Sequence, residues 1–381
     1  MEKVKLGEVC TVVSGSTPKT SIKEYWDGDV KWITPAEIDE NSFYVYDTVR
    51  HITEEGKNKT GLSYLPEGTV MLSSRAPIGK TAIAGCEMCC NQGFKNLICS
   101  DRIHNEYLFY FLSCKTDYLN SLGRGATFKE ISKSIVESIS IPLPEIEEQK
   151  QIAEIFLKLD VIKKRKKAQL EKIDELVKAR FVELFGDPVE NPYGWKQTIL
   201  KNIAIGKLSY GSGASACEYD ENIRYVRITD IDNSGRLNND VVSPSVIDEK
   251  YILNDGDILF ARSGATVGKS YRYRESDGKC LYAGYLIRLV PNTELVLPDY
   301  VFYYTKTSYY ERFIASNMKV VAQPNINAQQ YGDLTICIPP MELQKDFLSF
   351  VEQTDKSKLE VQKTLEKLEL LKKALMQKYF G

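Results

Sequence analysis

The feature that most constrains the fold of this chain is an internal repeat spanning about half its length. Phe185-Gly186 closes one long charged segment, and Phe380-Gly381 closes a second one 195 positions later (380 against 185). Ile141-Pro142-Leu143-Pro144 in the first half also matches Ile338-Pro339-Pro340 in the second. Since similarity at a nearly fixed offset indicates that one structural unit occurs more than once, the sequence predicts two diverged copies of one domain.

Each copy has a mixed first part and a helical second part. The first part contains short apolar runs bounded by turn residues, such as 69–73, 257–261 and 285–290, which are typical of β-strands. After Pro144 and Pro340 apolar residues recur every three or four positions, which predicts two helices of roughly forty residues. The fold class is therefore predicted to be α+β, with two globular mixed α/β domains separated by two long helices. The predicted boundaries are 1–144 and 187–340 for the domains, and 145–186 and 341–381 for the helices.

The two long helices are expected to pack on each other. A narrow apolar seam along a helix of about 60 Å requires a partner helix to cover it. Their equal lengths favour pairing within one chain, as an antiparallel coiled coil, over the alternative of a coiled coil that joins two chains. The basic run 163–167 interrupts the first seam, and it is interpreted as a solvated face or partner surface in preference to a nucleic-acid clamp.

Composition limits the classes of function. The chain has 50 Lys and Arg against 52 Asp and Glu, and this net charge of -2 excludes a uniformly basic nucleic-acid-binding protein but not local basic faces. No apolar run approaches the ~18 residues of a membrane-spanning helix, and the N-terminus lacks an apolar signal region, so a cytoplasmic location is expected. The nine cysteines are expected to be reduced thiols.

No motif predicts catalysis or a bound metal. The segment 264–270 ends in Gly-Lys-Ser, but three residues separate its glycines where a phosphate loop needs four. Two histidines leave little material for a histidine-based catalytic triad. Cys86 and Cys89 lack the second ligand pair of a zinc site, so a small apolar strand that carries thiols is favoured there. The chain is therefore predicted not to be an enzyme, with no catalytic and no metal-binding residues.

Loops that follow the β-like runs mix Arg or Lys with Gly, Ser, Thr, Asn and Gln in both copies. Hydroxyl, amide and N–H groups suit phosphates, and Arg, Asn and Gln make paired hydrogen bonds to base edges. Any single loop could be an ordinary polar turn, but recurrence in both copies favours one extended ligand, double-stranded DNA. The candidate DNA-binding residues are Lys19, Lys31, Arg75, Lys80, Lys95, Arg124, Lys129, Tyr210, Arg224, Arg227, Arg262, Lys269, Arg272, Arg274, Lys319, Gln323 and Asn325.

Within this set, Arg75 and Arg262 are the leading candidates for base contacts, because each follows a predicted strand on a loop with Gly or Ser. Trp32 and Tyr225 are equally compatible with a position in the core and with DNA contact. The expected phosphate partners are Lys80, Lys95, Lys129, Lys269 and Lys319.

The junction between the two copies carries a family resemblance. Leu184-Phe185-Gly186-Asp187-Pro188 is followed by Asn191-Pro192-Tyr193-Gly194-Trp195, and the first long helix opens from Ile-Pro-Leu-Pro-Glu-Ile-Glu-Glu-Gln-Lys at 141–150. Together with the two repeats, these motifs resemble the specificity (S) subunit of Type I restriction–modification enzymes over the whole chain. The second helix departs from the pattern, opening as Ile-Pro-Pro-Met-Glu-Leu-Gln-Lys at 338–345, which leaves its register open.

The resemblance implies two target recognition domains, each reading one half of a bipartite DNA sequence. The helices would set the gap between the half-sites and dock two modification (methyltransferase) subunits, and restriction (translocase–nuclease) subunits would join this core. S-adenosylmethionine, ATP and magnesium would then be bound by the partner subunits, and this chain would hold no cofactor. The alternatives are a coiled-coil protein-binding adaptor without DNA specificity and an enzyme with an unrecognised site.

Overall fold

The computed structural model describes residues 2–39, 42–124, 129–318 and 325–381. They form two units, each with a globular part and a half of each long helix. Unit 1 comprises residues 1–167 together with 363–381, and unit 2 comprises residues 168–362.

Unit 1 is built on a central β-sheet. Its strands are β1 (Lys3–Lys5), β2 (Cys10–Ser14), β3 (Trp26–Ile33), β4 (Tyr44–Val45), β5 (His51–Ile52), β6 (Val70–Ser73), β7 (Thr81–Ala84), β8 (Cys89–Cys90), β9 (Phe94–Cys99) and β10 (Ser140–Pro142). In the described part, the main sheet has the order β2-β9-β6-β7-β4, with β4 parallel to β7 and the other pairs antiparallel. Every residue of β6 and β7 is buried, which explains why their sequences are almost entirely apolar or small.

Helices cover this sheet and form the core of unit 1. Their bounds are α1 (Leu6–Val9), α2 (Glu54–Thr60), α3 (Asn105–Ser113), α4 (Thr116–Leu122), α5 (Lys133–Ser138) and α6 (Ile146–Phe185), with 3₁₀ turns at Lys23–Tyr25 and Pro35–Glu37. The aromatic-rich α3 packs on β6 and β7 and buries Tyr107 through Leu112. Phe156 of α6 stacks on Tyr110 with 5.1 Å between ring centroids, so the first half of α6 is fixed on α3.

Unit 2 repeats this arrangement. Its strands are β11 (Lys196–Ile199), β12 (Ser209–Tyr210), β13 (Ala216–Cys217), β14 (Arg224–Val226), β15 (Ser243–Pro244), β16 (Ile258–Ala261), β17 (Ser270–Arg272), β18 (Cys280–Tyr282), β19 (Leu286–Leu289) and β20 (Thr335–Ile338). The main sheet has the order β12-β19-β16-β17 and is antiparallel throughout its described length.

Helices accompany the strands of unit 2 as they do in unit 1. They are α7 (Pro298–Tyr304), α8 (Ser308–Met318), α9 (Ala328–Gly332) and α10 (Met341–Phe380), with 3₁₀ turns at Leu200–Ile203, Glu249–Tyr251, Gly264–Thr266 and Glu275–Asp277. Among the described residues, no helix combines the length and the apolar character that crossing a membrane requires.

The topology confirms the predicted repeat. The order β2-β9-β6-β7 of unit 1 recurs as β12-β19-β16-β17 in unit 2. The parallel pair β3 with β8 recurs as β14 with β18, and the first strand pairs with the strand before the long helix in both, as β1 with β10 and β11 with β20. The predicted α+β fold class with two repeated mixed domains is therefore confirmed.

The two long helices pair in antiparallel fashion within each unit. In unit 1, Asp160 and Lys163 of α6 form ion pairs with Lys372 and Glu369 of α10, so the partner's number falls as the number in α6 rises. In unit 2, Asp174 of α6 forms an ion pair of 2.7 Å with Lys358. Farther along α6, Phe181 packs on Phe347 with 5.4 Å between ring centroids. The predicted antiparallel coiled coil is confirmed, and Lys163 of the basic run takes part in it.

A buried glutamine at the start of each long helix ties that helix to its globular part. Gln149 is fully buried; its Oε1 accepts from the His104 N–H at 2.8 Å, and its Nε2 donates to the carbonyls of Arg102 and Pro144 at 3.0 and 2.8 Å.

A buried glutamine with the same set of hydrogen bonds occurs in unit 2. Gln344 is 1% exposed; its Oε1 accepts from the Leu297 N–H at 2.7 Å, and its Nε2 donates to the carbonyls of Leu295 and Pro339 at 3.2 and 2.9 Å. At each site three backbone groups, one of them fully buried, depend on one buried side chain for their hydrogen bonds.

We expect Gln149→Ala to lower the free energy of unfolding of unit 1 by about 1–3 kcal/mol, because it leaves three backbone groups, one of them fully buried, without their partner. Urea denaturation followed by circular dichroism measures this. The neighbouring Lys150→Ala removes only an exposed ion pair with Glu147 and should cost under ~1 kcal/mol. Equal losses for the two variants would contradict this role for Gln149.

Candidate nucleic-acid interface

Each main sheet ends in an equivalent loop pair. In unit 1 the chain leaving β6 is bonded to the segment before α5, where the Ile131 N–H donates to the Ser74 carbonyl at 3.0 Å. In unit 2 the chain leaving β16 is bonded to the segment before α9, where the Ile326 N–H donates to the Arg262 carbonyl at 2.9 Å. Ser74 is thus the structural equivalent of Arg262, and Arg75 lies one residue farther along its loop.

In unit 1 this loop pair gathers basic side chains around one carboxylate. The Nε of Arg75 lies 3.0 Å from Oε2 of Glu130, and the Nζ of Lys95 lies 3.2 Å from Oε1. Arg124 forms a two-bond backbone ladder with Glu130, and both Arg124 and Lys129 are exposed. Partial burial opposes ionisation of Glu130, but the hydrogen bonds from Lys95 and Arg75 outweigh it and hold its pKa below the usual range.

In unit 2 the equivalent loop pair gathers three of the candidate residues. The guanidinium of Arg262 lies over the ring of Tyr210, 4.7 Å from its centroid, and its Nε donates to Oδ1 of Asn325 at 3.3 Å. The hydroxyl of Tyr210 in turn accepts from the Ala328 N–H at 3.1 Å, which fixes the ring under the arginine.

One geometric feature is common to both clusters. Glu130 and Asn325 occupy the same place in the repeat, one residue before the bonded isoleucine, and each accepts from the Nε of a loop arginine. An anchor at Nε uses one of five guanidinium N–H donors, so the two terminal nitrogens can still make a bidentate contact. This is the contact that arginine makes with O6 and N7 of guanine.

Other candidates of unit 1 lie outside this cluster. Lys19 is exposed. The Nζ of Lys31 donates to the Tyr46 carbonyl at 2.8 Å, and the Nζ of Lys80 donates to the carbonyls of Pro35 and Ile38 at 3.1 and 2.6 Å. Lys80 therefore holds the loop after β3 in this structure.

The remaining candidates of unit 2 are tied to neighbouring oxygens. Lys269, the equivalent of Lys80, donates to the Ile231 carbonyl at 3.0 Å. Arg224 donates to the Asn238 carbonyl at 2.8 Å. The other three form ion pairs within the unit: Arg227 with Asp230 and Asp240, Arg272 with Asp255 and Asp299, and Arg274 with Asp299 and Asp355.

The other residues singled out in the sequence lie in the core or outside the described part of the chain. Lys319 and Gln323 lie outside the described residues. Trp32 and Tyr225 are 2% and 3% exposed, which places both in the core. In the described part of the chain, no group of three or more His, Cys, Asp or Glu side chains is arranged to hold a metal ion.

Comparison with known proteins decides the family. A model of the type I restriction modification DNA specificity domain matches residues 1–172 and again residues 202–370. The chain belongs to this family. It is 31% identical to the type I restriction enzyme MjaIX specificity subunit of Methanocaldococcus jannaschii, over 98% of this chain and 91% of that relative.

Solved structures share the fold of this specificity-domain protein. One comes from a study of complex assembly and conformational transition in the type I R-M system, with 18% identity, a TM-score of 0.65, and coverage of 100% of this chain and 97% of the other. Another is the crystal structure of a Type-I restriction-modification system S subunit from M. genitalium, with 15% identity, a TM-score of 0.57 and coverage of 100% and 96%. The architecture described above is thus that of S subunits.

Glu130 is the member of the interface that sequence reasoning missed. A search for basic and amide-bearing loops passes over an acid, although the same 195-residue offset that defines the repeat places Glu130 opposite Asn325 (325 against 130). An acid bonded to the side chains of Arg75 and Lys95 lowers the local positive charge and fixes the positions of these two side chains.

We expect Glu130→Gln to reduce the loss of stability of unit 1 at acidic pH. A carboxylate whose folded-state pKa is lowered stabilises the protein above its unfolded-state pKa, and this contribution is lost as pH falls through the folded-state pKa. Denaturant unfolding at pH 6 and near pH 3 should therefore show a smaller difference for the variant than for the wild type. Glu87→Gln, an exposed change outside the cluster, should keep the wild-type difference. If both variants showed the same difference in stability between the two pH values, Glu130 would not be the source of the pH dependence.

Proposed function

We propose that this chain is the DNA-recognition subunit of a type I restriction–modification complex, in which each globular part reads one half of a bipartite target. The observation that carries the proposal is the repeated arginine anchor at the end of the central strand, Arg75 on Glu130 in unit 1 and Arg262 on Asn325 in unit 2. It supports the proposal because two separate sites of the same construction suit a target with two parts.

Base reading is assigned to Arg75 and Arg262 and phosphate binding to the residues around them. A side chain anchored at Nε loses less conformational freedom when it binds, so its terminal nitrogens meet a guanine at lower entropic cost. Arg124 and Lys129 of the cluster are exposed and suit phosphate contacts, whose contribution falls with salt, and the exposed Lys19 outside the cluster suits the same role. Tyr210 and Asn325 support Arg262 by stacking and by a hydrogen bond.

The partners are assigned to the long helices. Both carry exposed large apolar side chains, although their seam is already paired, and this supports a further protein partner. We propose that modification (methyltransferase) subunits dock there, that restriction (translocase–nuclease) subunits join them, and that the helix length sets the gap between the half-sites. The exposed apolar residues are Ile155, Val161, Ile162, Leu176 and Val182 of α6 and Leu359, Leu370 and Leu371 of α10.

In this proposal the chain is not an enzyme. S-adenosylmethionine, ATP and magnesium would be bound by the partner subunits, and this chain would supply only the choice of sequence. A coiled-coil adaptor that binds proteins without DNA specificity would share the exposed apolar residues. Protein binding by the helices does not, however, require two anchored arginines on the globular parts. The two functions differ in whether a change in the globular parts alters a DNA sequence preference.

We expect Arg75→Ala to relax the preference at one position of one half-site, at a cost of about 1–3 kcal/mol in specific binding. Arg75→Lys should behave similarly, because lysine keeps the charge but lacks the planar fork. The measurement is a map of methylated positions made with the reconstituted methyltransferase complex. Arg102→Ala, an exposed arginine outside the cluster, should leave the map unchanged. An unaltered motif at normal efficiency in the Arg75 variants would exclude base reading by this residue.

We expect replacement of residues 1–140 by the equivalent segment of a relative to change one half-site and leave the other intact. The reason is that unit 1 carries its own loop pair and its own anchored arginine, with no residue of 168–362 among its members. Sequencing of the methylated positions reads out both halves at once. A change in both half-sites would contradict the two-reader model, and a complete absence of any effect would favour the adaptor.

A further inference from the structure

A cavity of about 220 Å³ lies within unit 2, between the two long helices, the end of α7 and the loop before Leu237. Pockets for drug-sized ligands are larger, at roughly 300–1,000 Å³, so this cavity suits a small group with a few water molecules. Its lining residues are Asp174, Lys178, Asn233, Ser234, Gly235, Arg236, Arg274, Phe302, Tyr303, Lys306, Asp355 and Lys358.

The lining carries an excess of positive charge, with five basic and two acidic side chains. Both carboxylates are already shared. Asp174 lies 2.7 Å from Lys358 and 3.6 Å from Arg236, and Asp355 lies 3.6 Å from Lys358 and 3.9 Å from Arg274. The two carboxylates of the cavity are therefore ion-paired with three of its five basic residues, Arg236, Arg274 and Lys358.

The other two basic residues, Lys178 and Lys306, form no ion pair with any described residue. The Nζ of Lys306 lies 4.7 Å from the centroid of the Phe302 ring and reaches the Asn233 carbonyl only at 3.5 Å. Burial, reinforced by the charges of Lys178 and Lys269 and opposed by Asp232, lowers the pKa of Lys306 to about 8. The Lys306 ammonium is partly buried and has no carboxylate of a described residue within ion-pair distance, so it lacks the counter-charge that would offset its desolvation.

The equivalent place in unit 1 is constructed differently. Tyr107 of α3 and Tyr300 of α7 donate to corresponding carbonyls, those of Pro142 and Cys337, so α3 and α7 are equivalent helices. This equivalence places Phe109, Tyr110 and Ser113 opposite Phe302, Tyr303 and Lys306 (an offset of 193).

In unit 1 an aromatic side chain fills the space. The ring of Phe43 packs on the rings of Phe109 and Tyr110, at 4.7 and 5.7 Å between centroids. In unit 2 the loop instead approaches Phe302 with Gly235, where a Cβ would lie 2.6 Å from the ring. Against this helix unit 1 thus places an aromatic ring where unit 2 places a glycine, and it has Ser113 in the position of Lys306.

We propose that this cavity binds a phosphate group, supplied either by free phosphate or by the DNA backbone. Free phosphate carries between about one and two negative charges at neutral pH, a backbone phosphate carries one, and both accept several hydrogen bonds at once, which suits two unpaired ammonium groups and the half-exposed guanidinium of Arg236. A carboxylate carries one charge and has only two acceptor oxygens, so it would satisfy fewer of these donors than free phosphate, which has four. Binding of free phosphate does not depend on the proposed function, whereas a backbone phosphate would extend it.

The test is isothermal titration of inorganic phosphate into the full chain at pH 7, with the ionic strength held constant by KCl. The wild type should show saturable binding at one site, weakened at least tenfold by Lys306→Met and about threefold or more by Lys178→Met. Methionine keeps the length of the side chain and removes its charge. Lys172→Met, an exposed change on the same helix outside the cavity, should bind phosphate as the wild type does.

Circular dichroism establishes that each variant is folded, and Lys178, an exposed residue at the rim, carries the test alone if Lys306→Met does not fold. The proposal is overturned if phosphate shows no saturable binding, or if both cavity variants bind as well as Lys172→Met. It is also overturned if acetate or glutamate binds as tightly as phosphate, since the cavity would then accept a carboxylate of a protein partner.

The two sources of phosphate are distinguished with a fluorescent duplex of random sequence. If the backbone supplies the group, Lys306→Met should weaken duplex binding at least tenfold more than Lys172→Met, and free phosphate should compete with the duplex at constant ionic strength. If free phosphate is the ligand, the two variants should bind the duplex equally while their affinities for free phosphate still differ. Failure of the proposed function would leave this second outcome intact.

Discussion

The hydrogen bonds of two buried glutamines connect the long helices to the rest of the molecule. Gln149 and Gln344 are themselves buried, and each satisfies one N–H and two carbonyls of the backbone. Because an unsatisfied buried backbone group costs about 1–3 kcal/mol, a side chain of any other shape or chemistry is disfavoured there. The direction in which each helix leaves its globular part is thus fixed by a local and specific contact.

The pairing of the helices follows from this geometry. In unit 1 the first half of α6 meets the second half of α10, and in unit 2 the second half of α6 meets the first half of α10. The seam ion pairs of unit 1 are half-exposed and contribute little to stability, whereas Lys358 of the unit 2 pair is buried; both sets favour one register. The aromatic contacts of Phe156 with Phe380 and of Phe181 with Phe347 bury the apolar area that stabilises each end.

Much of the fold is predictable from the sequence, because it depends on periodic or repeated features. The apolar spacing after Pro144 and Pro340 predicts both helices, and the offset between Phe185 and Phe380 predicts the repeat. The order of the strands does not follow from either, since it depends on contacts between residues far apart in the chain. The extra parallel strand β4 of unit 1, which unit 2 does not repeat among its described residues, has no signal in the spacing.

The roles of single basic residues are harder to predict for the same reason. Lys80 and Lys129 are both predicted phosphate partners, yet Lys80 donates to a carbonyl 42 positions away while Lys129 is exposed. The pairing of Arg75 with Glu130 spans 55 positions and that of Arg262 with Asn325 spans 63. Local composition predicts which loops are polar and basic, whereas long-range contacts decide which of their side chains reach outward.

The one-residue offset between Arg75 and Arg262 on equivalent loops has a consequence for the symmetry of recognition. Two copies of one domain could in principle select the same bases twice and accept DNA in either direction. With the guanidinium moved along the loop and anchored on an acid in one copy and an amide in the other, the two copies would prefer different base patterns. The two halves of such a target would differ, so the target would be non-palindromic. The protein would then bind it in one orientation only and define a direction along the bound DNA.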